Sequence, residues 1–345
     1  MAGLALAKWP LEDRLMWQSL FENTSLLDDC GGLAHLRQTS IQVFEQAYCQ
    51  WLGWLTAHDV DALHMAPVER ATVERLIRWL DAFADARAMT RLIYLNGTLR
   101  VLRIVAPDAD WNRQNRMLKK VRRLAQHGDP SRKHGRVLCS SVLLAAGISY
   151  AATTSKLQQT PLEHAARVQT GTMIALLALM PLRCRTFRLL ELGKSVHIEK
   201  TGILITVPGD LMKSGHPWEA DVPEVVMPLL RRYLGEVRPW LMQRRGEKHD
   251  FLWVTQWGKP FQTGYLGARI AQATTKATGV RVSPHLFRDA AATTLARSSP
   301  ESAKLIKPIL AHRCFETAER HYIHAGSIDA GRTYAELIRE RRKNL

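Results

Sequence analysis

The spacing of the hydrophobic residues differs in one segment of this chain from that in the rest, and this difference limits the folds the chain can adopt. For most of the length, apolar residues recur at positions i, i+3 and i+4, which gives a helix one apolar face. In residues 40–58 this stripe consists of Phe44, Tyr48, Trp51, Leu52 and Leu55. Between residues 196 and 223 apolar and polar residues alternate, and Thr-Gly and Ser-Gly dipeptides mark turns, as in short strands. The sequence therefore predicts a mainly α-helical fold with one small antiparallel β-sheet.

The same patterns place the individual elements. The first 125 residues are predicted to be almost wholly helical, with amphipathic stretches at 40–58 and 67–86 and a strongly cationic helix at 113–126. Three strands are predicted at about 196–200, 203–207 and 216–222. Further helices follow at about 224–244, 263–278, 285–298, 302–311, 315–323 and 327–342.

One segment separates the two halves of the chain. Residues 127–136, with the sequence HGDPSRKHGR, contain two glycines, a proline and several basic residues and almost nothing apolar. Such a composition is typical of a linker. We therefore predict a helical domain over residues 1–126, a basic linker over 127–136, and an α+β domain over 137–345.

The charge of the chain points to its partner. The formal net charge is +16, and the cations are spread along the sequence. A folded basic surface of this kind favours a polyanion, either nucleic acid or an acidic membrane surface. The longest apolar run, residues 173–182, is about half of a membrane span and is predicted to be a buried helix. No membrane contact is expected.

The cysteines and the N-terminus indicate the compartment. The five cysteines are widely spaced and form no Cys-x-x-Cys pair, so a disulfide framework is not expected. The N-terminal apolar run has no basic leader before it and does not match a signal peptide. A cytoplasmic protein is therefore expected. Together with the nucleic-acid partner that the net charge indicates, this predicts association with the nucleoid.

Several polar residues in the second half suit phosphodiester chemistry. Each alone is most often a surface cation, a core histidine or a packed tyrosine, but their combination in one order is much less common. An arginine at the junction between two helices can present its guanidinium group to a phosphate with little ordering cost. The set is Arg183, Lys213, the His285 and Arg288 pair at i, i+3 near a helix start, His312 and Tyr322.

This order resembles that of the tyrosine recombinases, the phage-integrase type of site-specific recombinase. The family has Arg, Lys, His-x-x-Arg, a second His or Trp, and then Tyr. The resemblance implies a helical core-binding domain that clamps DNA, followed by an α+β catalytic domain. It also implies that the C-terminal helix, 327–345, contacts a neighbouring subunit. The catalytic residues it implies are Arg183, Lys213, His285, Arg288, His312 and Tyr322.

The chain departs from the family pattern at two points. Members usually have Gly before the second histidine, whereas this chain has Ala311. The usual interval from that histidine to the tyrosine is nine residues, but here His321 is ninth and Tyr322 is tenth. Since one residue rotates a helical side chain by about 100°, an irregular turn is expected between His312 and Tyr322.

The resemblance implies DNA cleavage through a 3′-phosphotyrosine link, for integration or excision of a mobile element. No cofactor is expected, because the chain has no Gly-x-x-x-x-Gly-Lys loop and no paired carboxylates for magnesium. His321 and His324 lack the further ligands that zinc needs, so no metal site is expected. The expected partners are double-stranded DNA and further copies of the chain, as a tetramer on DNA. Two alternatives remain open: a type IB-like DNA topoisomerase, and a catalytically silent sequence-specific DNA-binding protein.

Overall fold

The chain forms two compact units, Met1–Ser131 and Arg132–Leu345. The structure, a computed structural model, describes residues 3–22, 32–126, 135–152, 160–212, 214–245 and 247–310. The boundary between the units lies inside the predicted linker, most of which is outside the described residues. The predicted helices at 315–323 and 327–342 also lie outside them.

All the regular secondary structure in the described part of the first unit is helical. It contains short 3₁₀ helices at Leu6–Lys8 and Val60–His64. Its α-helices are α1 (Leu11–Ser19), α2 (Gln38–His58), α3 (Val73–Asp81), α4 (Ala88–Val105) and α5 (Asn112–Gln126). The predicted helix at 67–86 is shorter in the structure because Thr72 caps α3, its side chain accepting a hydrogen bond from the backbone N–H of Arg75.

A buried ion pair stands inside the aromatic core of this unit. The core is built around Trp51, Trp79 and Tyr48, all fully buried. Arg70 donates from Nη1 to both carboxylate oxygens of Asp13, at 2.9 and 2.7 Å, and both side chains are fully buried. The Tyr48 hydroxyl donates to the same carboxylate at 2.7 Å. Each of these groups is satisfied, as buried charges must be to avoid a large desolvation cost.

The second unit consists of helices around one three-stranded sheet. The described helices are α6 (Ser140–Ala152), α7 (Pro161–Leu179), α8 (Cys184–Arg188), α9 (Met227–Arg232), α10 (Arg238–Arg245), α11 (Tyr265–Thr278), α12 (Pro284–Ser298), α13 (Pro300–Lys304) and α14 (Ile306–Leu310). The strands are β1 (Val196–Ile198), β2 (Ile203–Val207) and β3 (Trp218–Asp221), with a 3₁₀ turn at Gly209–Leu211. The sheet is antiparallel in the order β1-β2-β3. The predicted fold class is confirmed.

Two predicted helices are interrupted in the structure, in each case near a proline. The helix predicted at 224–244 begins at Met227 and contains a π-helical segment, Tyr233–Val237, between α9 and α10. Pro239 follows that segment and has no N–H to donate to the preceding turn. The helix predicted at 302–311 is split into α13 and α14, because Pro308 cannot donate to the carbonyl of Lys304.

Helix α7 is the centre of the second unit and leads directly to the candidate site. Its residues from Val168 to Ala178 are all buried, which agrees with the buried helix predicted at 173–182. It packs closely on α6 because Gly147 and Gly171 lie at the crossing: a Cβ on Gly147 would lie 2.5 Å from the backbone nitrogen of Ala175. Larger residues there would force the helices apart. Among the described residues, no helix is long and apolar enough to cross a membrane.

Candidate active site

Arg183 sits at a rigid junction between two helices. Helix α7 ends at Leu179, since Pro181 disfavours helical backbone at the residue before it, and Met180 has φ −120° and ψ 76°. Pro181 and Leu182 are buried. Arg183 then occupies the N-cap position of α8 in an extended conformation. Its position is therefore fixed by a buried turn, as the sequence predicted.

The Arg183 side chain can donate a further hydrogen bond. It is half-buried, and its buried Nη1 atom has no hydrogen-bond partner in the part of the chain that the structure describes. Burial lowers the pKa of the Arg183 guanidinium from its usual value. A partly desolvated cation with an unbonded N–H group is well suited to bind an anion.

Arg288 lies beside Arg183 and is more deeply buried, with 6% of its surface exposed. Burial, and then the positive charge of Arg183, lowers its pKa to about 10, and the Asp289 carboxylate opposes this. The guanidinium donates from Nη1 to the Pro181 carbonyl at 2.7 Å and from Nη2 to the Leu310 carbonyl at 2.6 Å. The structure thus brings two of the predicted residues, Arg183 and Arg288, together.

Through these two hydrogen bonds, the Arg288 side chain links two segments of the chain in addition to carrying a positive charge. One bond holds the turn that carries Arg183, and the other holds the last residue of α14, two positions before His312. They use only two of the five N–H groups of a guanidinium, which leaves capacity for a further acceptor. This second role of Arg288 leaves no signal in the sequence, because nothing local marks the carbonyls that Arg288 binds.

His285 lies one turn before Arg288 on helix α12. That helix begins at Pro284 after Ser283, as predicted from the Ser-Pro pair. The i, i+3 spacing puts His285 and Arg288 on neighbouring positions of one face. His285 is exposed whereas Arg288 is buried, so the imidazole lies at the solvent side of the buried arginine.

Lys213 lies outside the described residues, but the turn on both sides of it is described. This turn joins β2 to β3, as predicted. Gly209 and Gly215 approach each other so closely that a Cβ on Gly209 would collide with the Gly215 carbonyl, and Gly215 has φ +78°. The buried Thr186 hydroxyl donates to the Leu211 carbonyl at 3.0 Å. That bond ties α8, which follows Arg183, to the residue two positions before Lys213.

Two further predicted residues, His312 and Tyr322, lie outside the described residues, together with the irregular turn expected between them. Thr186 is a residue of this region that sequence analysis missed, since a threonine in a short helix gives no signal of its own. Among the described residues, no group of three or more His, Cys, Asp or Glu side chains is arranged to hold a metal ion. Arg183, Arg288 and His285 are thus the part of the predicted site that can be placed.

Several solved structures share this fold. The chain is similar to XerH site-specific recombinase bound to difH substrate in a pre-cleavage complex, with 16% sequence identity, a TM-score of 0.60, and coverage of 96% of this chain and 99% of that one. It is also similar to the Tn1549 transposon integrase in complex with transposon right end DNA, with 15% identity, a TM-score of 0.56, and coverage of 88% and 96%. At sequence identities this low, the structural similarity establishes a shared fold only.

A comparison with curated protein sequences gives no significant match. The model of the phage integrase family, in contrast, matches residues 150–327, just over half of the chain. The matched segment contains all six residues of the predicted set. The chain belongs to the phage integrase family, the tyrosine recombinases.

Proposed function

We propose that this protein is a site-specific DNA recombinase that cuts and rejoins DNA through a 3′-phosphotyrosine intermediate, for integration or excision of a mobile element. The observation that carries the proposal is the pair of adjacent, desolvated guanidinium groups of Arg183 and Arg288 in a chain of this family. Two such cations at one place favour a ligand with two acceptor oxygens that share negative charge, and a phosphodiester provides two non-bridging oxygens of this kind.

In the proposed reaction, the Tyr322 oxygen attacks the phosphorus and the bond to the 5′ oxygen breaks. Arg183 and Arg288 bind the non-bridging oxygens and stabilise the charge that develops on them in the transition state. His285 accepts the phenol proton, and His312 adds a hydrogen bond. Lys213 protonates the departing 5′ oxygen. The phosphate is then linked to Tyr322, and a 5′ hydroxyl from a partner strand reverses the same steps.

The remaining assignments follow from this reaction. We propose that residues 1–126 form the DNA core-binding domain and residues 137–345 the catalytic domain. Exchange between two duplexes needs two cuts on each of them, so the active assembly is a tetramer on double-stranded DNA. The segment 327–345 is proposed to contact the neighbouring subunit. Such a protein works at the chromosome, in the nucleoid of the cytoplasm.

The proposal is tested by trapping the covalent adduct. The protein is incubated with a nicked suicide substrate, taken from both ends of the element that encodes it, in the presence of EDTA. We expect a covalent protein–DNA adduct that resists denaturation, because the chemistry assigned to these residues needs no metal. DNA binding without any adduct would favour a catalytically silent binding protein. Relaxation of every supercoiled plasmid, without site preference, would favour a topoisomerase.

Thr186 provides a sharper test of the role assigned to Lys213. Replacing Thr186 by Val removes the hydrogen bond to the Leu211 carbonyl, so the Lys213 turn loses its tie to α8. We expect cleavage to slow by roughly 10- to 100-fold, as for a small displacement of a catalytic group. Cleavage of a substrate with a bridging 5′ sulfur should be much less affected, because a thiolate leaves without needing a proton.

The matched control is Thr172→Val. The Thr172 hydroxyl is buried in α7 and donates to the Val168 carbonyl of its own helix at 2.7 Å. This variant should cleave both substrates at the rate of the unmodified protein. An equal defect of Thr186→Val on the oxygen and sulfur substrates would show that the turn does not serve the proton donor.

A further inference from the structure

An apolar groove lies between helices α3 and α5 of the first unit. Its volume is about 460 Å³, within the range of about 300–1,000 Å³ typical of ligand sites. The apolar side chains that line it are those of Val73, Ile77, Leu80, Met117, Val121 and Leu124. Two of them are strongly exposed, Ile77 at 45% and Leu124 at 65%. Exposed apolar side chains that share one groove are typical of an interaction surface, whereas scattered ones are not.

The rim of this groove is cationic. Asp81 is the one carboxylate among the described residues that line it, and the cations are Arg91, Arg113, Arg116 and Lys120. The Nη2 atom of Arg91 lies 4.0 Å from the Asp81 carboxylate, which is too far for a hydrogen bond. Its Nε atom is buried and has no hydrogen-bond partner in the part of the chain that the structure describes. A carboxylate oxygen placed in the groove would satisfy this buried N–H group.

The protein neutralises this rim only in part. Arg113 forms an ion pair with Glu74 of α3 at 2.7 Å, but both side chains are more than 60% exposed. Exposed pairs of this kind contribute little stability, so Arg113 can change partners at small cost. Arg116 and Lys120 are exposed, lie one turn apart on α5, and form no ion pair with another described residue. The rim therefore has positive charge available to an external partner.

An apolar floor with a cationic rim limits the kind of partner that fits. The DNA backbone supplies negative charge but no apolar side chain to cover Ile77 and Leu124. A second copy of this chain would bring a net charge of +16 to a cationic surface, and like charges across an interface oppose association. A helix with apolar residues at i, i+4 and i+7 and carboxylates on its flanks supplies both the apolar contact and the negative charge.

We propose that the α3–α5 groove binds an acidic amphipathic helix of another protein. The apolar stripe of that helix covers Ile77 and Leu124, and its carboxylates pair with Arg91, Arg116 and Lys120. The first unit then has a protein partner in addition to the DNA proposed for it. This contact involves neither DNA nor the residues of the candidate active site, so it goes beyond the proposed function and does not depend on it.

The test uses a fluorescently labelled helical peptide of about five turns, with leucine on one stripe and glutamate on both flanks. Its control is the same peptide with every glutamate replaced by lysine. Binding to the full chain is measured by fluorescence anisotropy. We expect the glutamate peptide to bind at least roughly tenfold more tightly than the lysine peptide, with an affinity that falls as salt is added.

Two pairs of variants locate the binding site. Leu124→Asp should weaken binding of the glutamate peptide by about 10- to 100-fold, as expected for the loss of one buried leucine contact. Its control is Leu15→Asp on α1, where the leucine is 56% exposed and lies outside the groove. Lys120→Glu should weaken binding by roughly three- to tenfold. Lys119→Glu makes the same change of charge at an exposed residue outside the groove, and neither control should change the affinity.

Three results would overturn the inference. The first is equal affinity for the glutamate and lysine peptides, and the second is an equal effect of the groove variants and their controls. The third is peptide binding that survives Leu124→Asp and Lys120→Glu while these variants lose affinity for duplex DNA or lose self-association in sedimentation, which would assign the groove to DNA or to a second copy of the chain. Formation of the covalent DNA adduct should stay normal in Leu124→Asp, so a failure of the proposed function is recognised separately.

Discussion

Replacing Tyr322 by Phe is expected to abolish the covalent adduct while DNA affinity stays unchanged. Phenylalanine has no oxygen to attack phosphorus, so no residual adduct formation through this residue can remain. The aromatic ring is kept, so packing is affected as little as possible. The adduct is measured on a denaturing gel with the nicked suicide substrate, and affinity by anisotropy with the uncut duplex.

Tyr334→Phe is the control for this experiment, since it removes the same atom from the next tyrosine along the chain. It should form adduct at the normal rate. His321 occupies the position where the usual family spacing would place the tyrosine, and His321→Asn should also retain the adduct. An adduct that persists in Tyr322→Phe would show that the nucleophile has been assigned to the wrong residue.

The second large effect is expected from Arg288→Lys. A lysine keeps the positive charge, but its single nitrogen cannot reach both the Pro181 and the Leu310 carbonyls as the two guanidinium nitrogens do. One buried carbonyl is left unsatisfied, which typically costs about 1–3 kcal/mol of stability. In addition, loss of one transition-state donor slows such reactions by about 100- to 1,000-fold. We therefore expect a lower melting temperature and a much lower rate of adduct formation.

Two matched variants separate the structural role of Arg288 from the chemical one. Arg238 also binds backbone carbonyls, those of His249 and Phe251, away from the Arg183 turn; Arg238→Lys should lose stability and keep its cleavage rate. Arg183→Lys should keep its stability and cleave more slowly, because the Nη1 atom of Arg183 has no partner among the described residues. If Arg288→Lys slows cleavage no more than Arg238→Lys does, Arg288 acts only as a structural cross-link.

The fold was largely predictable because its signals are local. The alternation in residues 203–207 gave strand β2 at the positions observed, and the Ser283-Pro284 pair gave the start of α12 to within one residue. The interruptions near Pro239 and Pro308 were missed, since a strong apolar stripe continues through both. In each case the proline lacks the backbone N–H that a regular helix needs, and the helix is interrupted although the apolar pattern continues.

From the sequence, the candidate site can be predicted only as a set of residues in a given order, and the assignment of these residues to the site stays a prediction. The proline after α7 marked the junction that holds Arg183, and the i, i+3 spacing put His285 and Arg288 on one face. The bond of Arg288 to the Pro181 carbonyl spans 107 residues, and that of Thr186 to Leu211 spans 25. Contacts of that separation depend on how α7, α8 and α12 pack, and no local pattern encodes them.

The central claim is that the Tyr322 oxygen becomes linked to the 3′ phosphate of the cut strand. The most direct measurement is mass spectrometry of the trapped adduct after nuclease and trypsin digestion. Cleavage after Arg320 and Arg332 gives the peptide HYIHAGSIDAGR, in which Tyr322 is the one tyrosine. We predict that fragmentation assigns the nucleotide to Tyr322, through a phosphate bonded to the 3′ carbon of its sugar. A nucleotide on His321, on the peptide that contains Tyr334, or attached through a 5′ phosphate would contradict the claim.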